Sequence, residues 1–117
     1  MWFDFLDLSG NEYVSAYVAQ DGQILTASCT TNSIKVRPAG ENDTYPPTVT
    51  SGNPEGYSII IDLGNDEILS VNATAKTVLL QAETLYTRSS GSLEGRLNGG
   101  PLLTGGVALF EEFKMTA

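Results

Sequence analysis

Short runs of β-branched and aromatic residues are the feature of this sequence that most limits how it can fold. They are bounded by Gly, Asn, Asp and Pro and recur about every ten residues, as β-strands joined by turns do. No stretch keeps a helical apolar period for the roughly 12 residues that a helix needs. The sequence therefore predicts an all-β protein with nine strands, at residues 2–8, 12–20, 23–29, 34–37, 57–63, 67–74, 77–88, 93–98 and 102–114.

The links between these strands are short and have the composition of hairpin turns. They are Ser9-Gly10-Asn11, Asp21-Gly22, Gly64-Asn65-Asp66 and Gly99-Gly100-Pro101, of which Asp21-Gly22 has the strongest type I′ signal. Because such links make neighbouring strands antiparallel, we expect a meander that closes into an up-and-down β-barrel of eight or nine strands. The polar connection at 38–56 is the exception, and it is either a mobile loop or a lid or interface segment.

The balance of charge excludes two classes of partner. The chain has 117 residues, the length of one domain, and its 14 Asp+Glu against 6 Lys+Arg give a net charge of -8. Affinity for nucleic acids and anionic lipids depends on Lys and Arg beside phosphates, so we expect neither a nucleic acid nor a membrane as partner. With 41% hydrophobic and 17% charged residues, the composition is that of a globular domain.

The sequence has no histidine and one cysteine, Cys29. Without histidine there is no Ser-His-Asp triad, no Cys-His dyad and no histidine-containing metal site, which excludes most hydrolase chemistry, and we expect no metal. Cys29 has no disulfide partner in the chain and is interpreted as a small hydrophobe. Since no signal-peptide segment follows Met1, we expect a cytoplasmic protein, and the apolar strand directly after Met1 suggests a domain cut from a longer chain.

The first two hairpins predict one aromatic and polar face and one apolar face. The predicted cross-strand pairs are Trp2–Tyr17, Asp4–Ser15 and Leu6–Tyr13 in the first hairpin, and Tyr17–Thr26 and Ser15–Ser28 in the second. The opposite face is expected to be buried, and its residues are Phe3, Phe5, Val14, Ala16, Val18, Leu25, Ala27 and Cys29.

The aromatic and polar face is either the wall of a ligand cavity or a solvated exterior. A cavity needs an apolar wall with a few hydrogen-bonding groups, and aromatic rings with polar tips supply both. The candidate substrate-binding residues on this face are Trp2, Asp4, Tyr13, Ser15 and Tyr17.

Glu111 in the last strand is the sixth candidate. Alternation places it on one face with apolar residues, namely Val107, Leu109 and Phe113, joined across the last hairpin by Leu93, Leu97 and Leu103. Burial there would favour the neutral carboxyl and make Glu111 a proton donor or hydrogen-bond anchor, with Glu112 pointing away. Alternatively, a bulge near Gly105-Gly106 turns Glu111 outward.

Three stretches of the sequence carry a resemblance to a known family. They are WFDFLDLSGNEYVSAYVAQDGQILTAS, IKVRPAGENDTYPPTVTSGNPEGYSIIIDLG and LYTRSSGSLEGRLNGGPLLTGGVALFEEF. Together they resemble the C-terminal lipocalin-like domain of fungal decalin-forming Diels-Alderases, a two-domain group similar to carotenoid hydratase-like and AttH-like proteins. The likeness covers nearly the whole chain, and the closing run is its most specific part.

The resemblance implies a pericyclase of secondary metabolism. Such an isomerase folds a linear polyene tetramic acid, a polyketide-amino acid hybrid, for an intramolecular [4+2] cycloaddition to a decalin, and the resemblance implies no cofactor. A shaped cavity and a few hydrogen bonds to carbonyls suffice for this reaction. In the family the pocket lies between an N-terminal β-domain and this calycin-like domain, so we expect the isolated domain to be inactive. The resemblance assigns no catalytic residue to a position in this chain.

Two other functions remain open from the sequence. The first is a stand-alone calycin-like module that binds a hydrophobic small molecule without transforming it. The second is a structural domain that stabilises a partner domain by covering one face of its sheet.

Overall fold

The computed structural model describes residues 2–7, 9–28, 33–48, 50–82 and 86–113, and these contain strands and no helix. The eight strands are β1 (Trp2–Leu6), β2 (Glu12–Gln20), β3 (Gln23–Ser28), β4 (Ile34–Ala39), β5 (Gly56–Gly64), β6 (Glu67–Ala82), β7 (Tyr86–Leu97) and β8 (Leu103–Phe113). Among these residues, no helix has the length and apolarity to cross a membrane.

The strands form two antiparallel sheets in chain order. One sheet has three strands, β1-β2-β3, and the other has five, β4-β5-β6-β7-β8. The all-β class and the antiparallel meander are thus as predicted. Strand pairing within the described residues gives these two sheets and shows no closed barrel.

The described residues contain eight strands, which agrees with the predicted eight or nine. The division into nine segments fails because β6 and β7 run through positions that the sequence treats as breaks. Ala75 pairs with Gly91 in the middle of the β6–β7 ladder, and bulges follow between Ala75 and Thr77 and between Val78 and Leu80. A side chain at Gly91 would collide with the carbonyl oxygen of Thr74, so glycine permits this close pairing. The segments around Ala75 and Gly91, which the sequence treats as breaks, therefore pair with each other in one ladder.

The predicted type I′ turn at Asp21-Gly22 is confirmed, with φ of 52° and 78°. The other two tight turns also have paired positive φ angles, of 54° and 61° at Asn65-Asp66 and of 51° and 68° at Asn98-Gly99. Asparagine, aspartate and glycine tolerate this left-handed backbone, which matches the twist of the flanking strands.

The predicted register of the first hairpin is wrong by one residue, because Asp7 closes the turn. Its backbone N–H donates to the carbonyl oxygen of Asn11 at 3.0 Å. Its carboxylate oxygen Oδ1 accepts the backbone N–H groups of Ser9 and Asn11, each at 2.9 Å. The observed pairs are Trp2–Ala16, Phe3–Ser15, Asp4–Val14, Phe5–Tyr13 and Leu6–Glu12.

The second hairpin follows the predicted register only near its turn. Gln20 pairs with Gln23 as expected, but the register shifts between Val18 and Ala19. Beyond that bulge, the observed pairs are Tyr17–Ala27 and Ala16–Ser28 instead of Tyr17–Thr26 and Ser15–Ser28. An extra residue on one strand changes which side chains face each other, and alternation alone does not reveal it.

The hydrophobic core brings residues of both sheets into one cluster. Its buried members are Val14, Ala16, Ile34, Val36, Ile59, Ile61, Ala73 and Ala108. The predicted burial of Val14 and Ala16 is confirmed, whereas Leu25 and Ala27 are exposed and their predicted burial is wrong. Cys29 and the side chains of Phe3 and Phe5 lie outside the described part of the structure.

Candidate functional site

A shallow recess with a cavity volume of about 20 Å³, enough for one water molecule, opens on the core side of the five-stranded sheet. It lies where β5, β7 and β8 meet the end of the long loop at 40–55. Its lining residues are Asn53, Pro54, Tyr57, Thr87, Ser89, Phe110 and Glu112. Hydroxyl, amide and carboxyl groups therefore converge beside two aromatic rings.

Strand alternation places the polar residues of the recess on the inner face of β7 and β8. Thr87 and Ser89 are only 8% and 4% exposed, although both are polar. Across the ladder, Ser89 pairs with Phe110 and Thr87 pairs with Glu112. Since paired residues share a face, these four side chains form one surface.

Tyr57 and Glu112 are joined by a hydrogen bond that spans the sheet. The Tyr57 hydroxyl donates to the carboxylate oxygen Oε2 of Glu112 at 2.8 Å. In a flat sheet β5 and β8 would be about 14 Å apart, because neighbouring strands lie about 4.8 Å apart. The sheet must therefore curl strongly, and this curvature assembles the recess.

Phe110 forms the aromatic wall of the recess together with Tyr57. Their ring centroids are 5.5 Å apart and the rings are nearly perpendicular, at 85°. This edge-to-face arrangement is favourable for aromatic pairs, and it holds the phenol of Tyr57 in place beside Glu112.

The long loop contributes the rim of the recess. The Asn53 side-chain amide donates to the Thr87 hydroxyl at 2.8 Å. The loop is anchored further where the backbone N–H of Ala75 donates to the carbonyl oxygen of Glu55 at 2.7 Å, and where the Asn42 amide donates to the carbonyl oxygen of Asn53 at 3.1 Å. These contacts favour the second interpretation of the loop, as a segment that covers part of a site.

The recess combines a carboxyl group with several hydrogen-bonding groups. A carboxyl group with a phenol as its hydrogen-bond donor is a proton donor in its neutral form and a proton acceptor in its charged form. The hydroxyls of Thr87 and Ser89 can donate to or accept from a ligand. In the part of the chain that the structure describes, acidic and cysteine side chains form no group of three that could hold a metal ion.

Three of the six predicted site residues lie together, on the outer face of β2 and away from the recess. Tyr13, Ser15 and Tyr17 are all exposed. The Tyr13 hydroxyl donates to the carboxylate oxygen Oδ2 of Asp7 at 3.3 Å. The side chains of Trp2 and Asp4 lie outside the described part of the structure, and their backbone positions pair with Ala16 and Val14.

The burial considered for Glu111 is not observed, and the outward-facing alternative is: the register shifts near Gly105-Gly106, where Leu93 pairs with Gly106 but Gly95 pairs with Leu103. Glu111 shares its face with Val107, Leu109 and Phe113 as expected, but this face of β8 is exposed. The Arg88 guanidinium donates through Nε to Oε1 of Glu111 at 2.6 Å. This hydrogen bond, together with the charge of Glu111, raises the pKa of Arg88 above its ordinary value.

Glu112, expected to point away, is the acid that lines the recess. Alternation shows that Glu111 and Glu112 lie on opposite faces of the strand, but it does not show which face is inward. A register shift between Leu93 and Gly95 also moves Leu93 to the face opposite Glu111. The sequence signal for a polar inner face was the pair Thr87 and Ser89, which are polar residues at alternate positions of the partner strand.

Two curated proteins are similar to this chain over most of its length. The quinolone epoxide rearrangement protein penF of Penicillium thymicola is 36% identical over 114 residues, which is 97% of this chain and 31% of penF. The quinolone epoxide rearrangement protein asqO of Emericella nidulans is 32% identical over 115 residues, again 97% of this chain and 31% of the relative. No family model matches the sequence, and no solved structure matches it. The chain thus spans about a third of the length of the curated relatives it matches, and both carry names that describe the rearrangement of a small molecule.

Proposed function

We propose that this chain is one part of a protein that promotes the intramolecular rearrangement of a hydrophobic small molecule. The observation that carries the proposal is the hydrogen bond of 2.8 Å between Tyr57 and Glu112 in a recess with an aromatic wall. Similarity to two quinolone epoxide rearrangement proteins over 97% of the chain supports the same reaction class.

Rearrangement of an epoxide is promoted by a proton donor. The product has the same atoms as the substrate, so the reaction is an isomerisation. In the proposed mechanism the Glu112 carboxyl gives a proton to the epoxide oxygen as one carbon–oxygen bond breaks. A neighbouring group migrates with its electron pair to the electron-poor carbon, and a carbonyl forms as the hydroxyl proton leaves. The Glu112 carboxylate takes that proton, so the carboxyl is restored and the reaction is a net isomerisation.

Tyr57 has a positioning role in this mechanism. Its hydroxyl donates to Glu112 Oε2, which stabilises the carboxylate that remains after proton transfer. The rings of Phe110 and Tyr57 supply apolar contact surface for a hydrophobic substrate, while the hydroxyls of Thr87 and Ser89 orient polar groups of the substrate.

The second candidate function is the [4+2] cycloaddition of a linear polyene tetramic acid to a decalin. It is supported by the sequence resemblance to the lipocalin-like domain of decalin-forming Diels-Alderases. Hydrogen bonds from the recess to a substrate carbonyl would lower the barrier of that reaction too. Under this candidate the substrate-binding roles of six residues remain predictions: Trp2, Asp4, Tyr13, Ser15, Tyr17 and Glu111.

We also propose that residues 1–117 are the C-terminal lipocalin-like domain of a longer, two-domain cytoplasmic protein. The match to only 31% of each relative supports a larger whole. The curl that brings Tyr57 to Glu112 supports a sheet that approaches barrel curvature. In the longer protein the further domain would hold the strands that form the recess in place, so we expect the isolated chain to be inactive.

A chimera tests the proposed reaction. The matched stretch of penF is replaced by this chain, and the chimera is incubated separately with a quinolone epoxide and with a linear polyenoyl tetramic acid. Liquid chromatography with mass detection should show a product of unchanged mass from the epoxide, formed well above the spontaneous rate. The isolated chain should form none.

Each other outcome selects a different function. A decalin from the tetramic acid with no conversion of the epoxide would favour the cycloaddition. Binding of either compound without conversion would favour a small-molecule binding module. A folded chimera that neither binds nor converts them would favour a structural domain.

A further inference from the structure

We propose that the outer face of β8, formed by Val107, Leu109 and Phe113, is the surface on which a further domain of the same polypeptide docks. This inference rests on the two-domain organisation proposed above and assigns its contact surface. The three side chains are 80%, 64% and 63% exposed. All three side chains are apolar and lie on one face of the strand, with Glu111 between Leu109 and Phe113 on the same face.

The outer face of β8 continues onto β7 and β6. Tyr86 stacks on Phe113 with ring centroids 4.6 Å apart. Arg88 lies between Glu111 on one side and Leu80 on the other, because it pairs with both in the sheet. Ser90 and Ser92 of β7 pair with Leu109 and Val107 and also lie on this face. The surface is therefore mixed, and its aromatic residues and its arginine are the types enriched at protein interfaces.

Clustering distinguishes this surface from ordinary exposed apolar residues. Single exposed hydrophobic residues are normal, whereas contiguous apolar patches mark sites of interaction. The outer face of β4 to β6 has a different character, since Lys35, Asp62 and Asn72 are exposed there beside Ile60. The apolar surface of β8 therefore does not continue onto the outer face of β4 and β5.

Two observations favour a further domain over a second copy of the chain. The relatives extend far beyond the matched stretch, which is 31% of their length, so proteins of this kind contain other segments that can cover the surface. Two copies of this chain would each carry a net charge of -8 and would repel each other. The Arg88–Glu111 ion pair leaves the surface itself without net charge.

The aromatic face of β2 is a weaker candidate for docking. Tyr13 and Tyr17 have hydroxyl groups that are compatible with water, and Tyr13 already donates to Asp7. Val107, Leu109 and Phe113 have no polar side-chain atom. In addition, β8 carries Phe110 and Glu112 on its other face, so a domain that docks on β8 holds a strand that forms the recess.

Cysteine labelling in the chimera described above tests this assignment. Val107→Cys and Ile24→Cys are each made with Cys29→Ser, in the isolated chain and in the chimera. Ile24 in β3 is a matched control, because it is a β-branched residue with 68% exposure on the other sheet. We expect a maleimide to label position 107 about tenfold or more slowly in the chimera than in the isolated chain, with position 24 unchanged.

The isolated chain provides a second measurement. Leu109→Asp should lower its binding of the dye 8-anilinonaphthalene-1-sulfonate more than Ile24→Asp does, since the dye reports exposed apolar surface. Equal labelling of position 107 in both proteins would overturn the proposal, as would equal dye binding by the two variants. Dimerisation of the isolated chain that Leu109→Asp abolishes would assign the face to a second copy instead. Because labelling needs no substrate, protection at position 107 can hold even where the chimera forms no product.

Discussion

Part of the hairpin formed by β7 and β8 inverts the usual distribution of residues, although Ala108 and Phe110 on the inner face and Arg88 and Glu111 on the outer face follow it. The inner face holds Thr87, Ser89 and Glu112 beside the core, and the outer face holds Val107 and Leu109 in contact with solvent. In most sheets polar residues face water and apolar residues face the core. Here each face has a surface that an isolated domain does not need for its own stability.

This inversion suggests a division of tasks between the faces. Polar groups held beside a core need hydrogen-bond partners, and those on the inner face line a recess where Asn53 and Tyr57 supply them. Apolar groups exposed to water contribute no hydrophobic stabilisation until another surface covers them. One face therefore suits a small molecule and the other suits a protein surface.

The largest expected difference between the faces is in stability. Ala108 is buried on the inner face, so Ala108→Asp places an unpaired charge in the core and should lower the free energy of unfolding by about 3 to 5 kcal/mol. Val107→Asp, one residue away on the outer face, should change it by less than about 0.5 kcal/mol. Urea denaturation of the two variants measures both. Equal losses would show that the faces are not inverted.

Adjacent glutamates provide the sharpest test of function. Glu112→Gln keeps an acceptor for the Tyr57 hydroxyl but removes the acid, so turnover of the epoxide by the chimera should fall about 100-fold. Glu111→Gln on the outer face should leave turnover within about twofold of the parent. The reverse result would restore the role predicted for Glu111 from the sequence and would end the one proposed for Glu112.

Gly91 tests how closely the inner face is packed. A Cβ there would collide with the carbonyl oxygen of Thr74, so Gly91→Ala should destabilise the chain by about 2 kcal/mol. Ser92→Ala, at the neighbouring position on the other face, is the control and should have little effect. Thermal unfolding of both variants is the measurement. An unchanged midpoint for Gly91→Ala would mean that the β6–β7 ladder is looser than the structure indicates.

The smallest effect is expected at Asp7, in a hairpin away from both faces. Hydrogen bonds from the Asn11 side chain, and then from backbone N–H groups, lower the pKa of Asp7 below its ordinary value. Because the folded-state pKa is the lower one, the stabilisation is present at neutral pH and is lost as the pH falls through the acidic range.

Comparison with Asp7→Asn isolates this local effect of pH from any effect at Glu112. The parent should lose stability between neutral and acidic pH by slightly more than the variant does, and a carboxyl titration by NMR should report the lowered pKa directly. A titration of Asp7 at or above the ordinary aspartate range would contradict the hydrogen-bonded turn.

The chain's local features were readable from its residues. The bounds of β2 at Glu12–Gln20 agree with the predicted strand, and the Asp21-Gly22 turn has the predicted type I′ backbone. Both depend on residues that are close in sequence, where alternation and turn preference act directly. The same holds for the placement of Glu111 with Leu109 on one face and Glu112 on the other.

Features that depend on a one-residue shift in strand pairing could not be predicted from the sequence. The carboxylate of Asp7 accepts hydrogen bonds within the turn, and the pairing register of the first hairpin is shifted by one residue. The bulge after Val18 shifts the register of the second hairpin. Each such shift exchanges the two faces of a strand, because side chains alternate with a period of two. The pairing predicted for Trp2 with Tyr17 failed for this reason.

The sequence by itself determined the all-β class, the antiparallel order and most of the turns, because these follow from interactions between neighbours along the chain. Only the tertiary structure decided which face of β8 meets the core and which acid lines the recess. Tyr57 and Glu112 are 55 residues apart, and they meet at 2.8 Å because the sheet curls until β5 approaches β8. Curvature arises from the twist and the bulges of many strands together, so no local pattern specifies it.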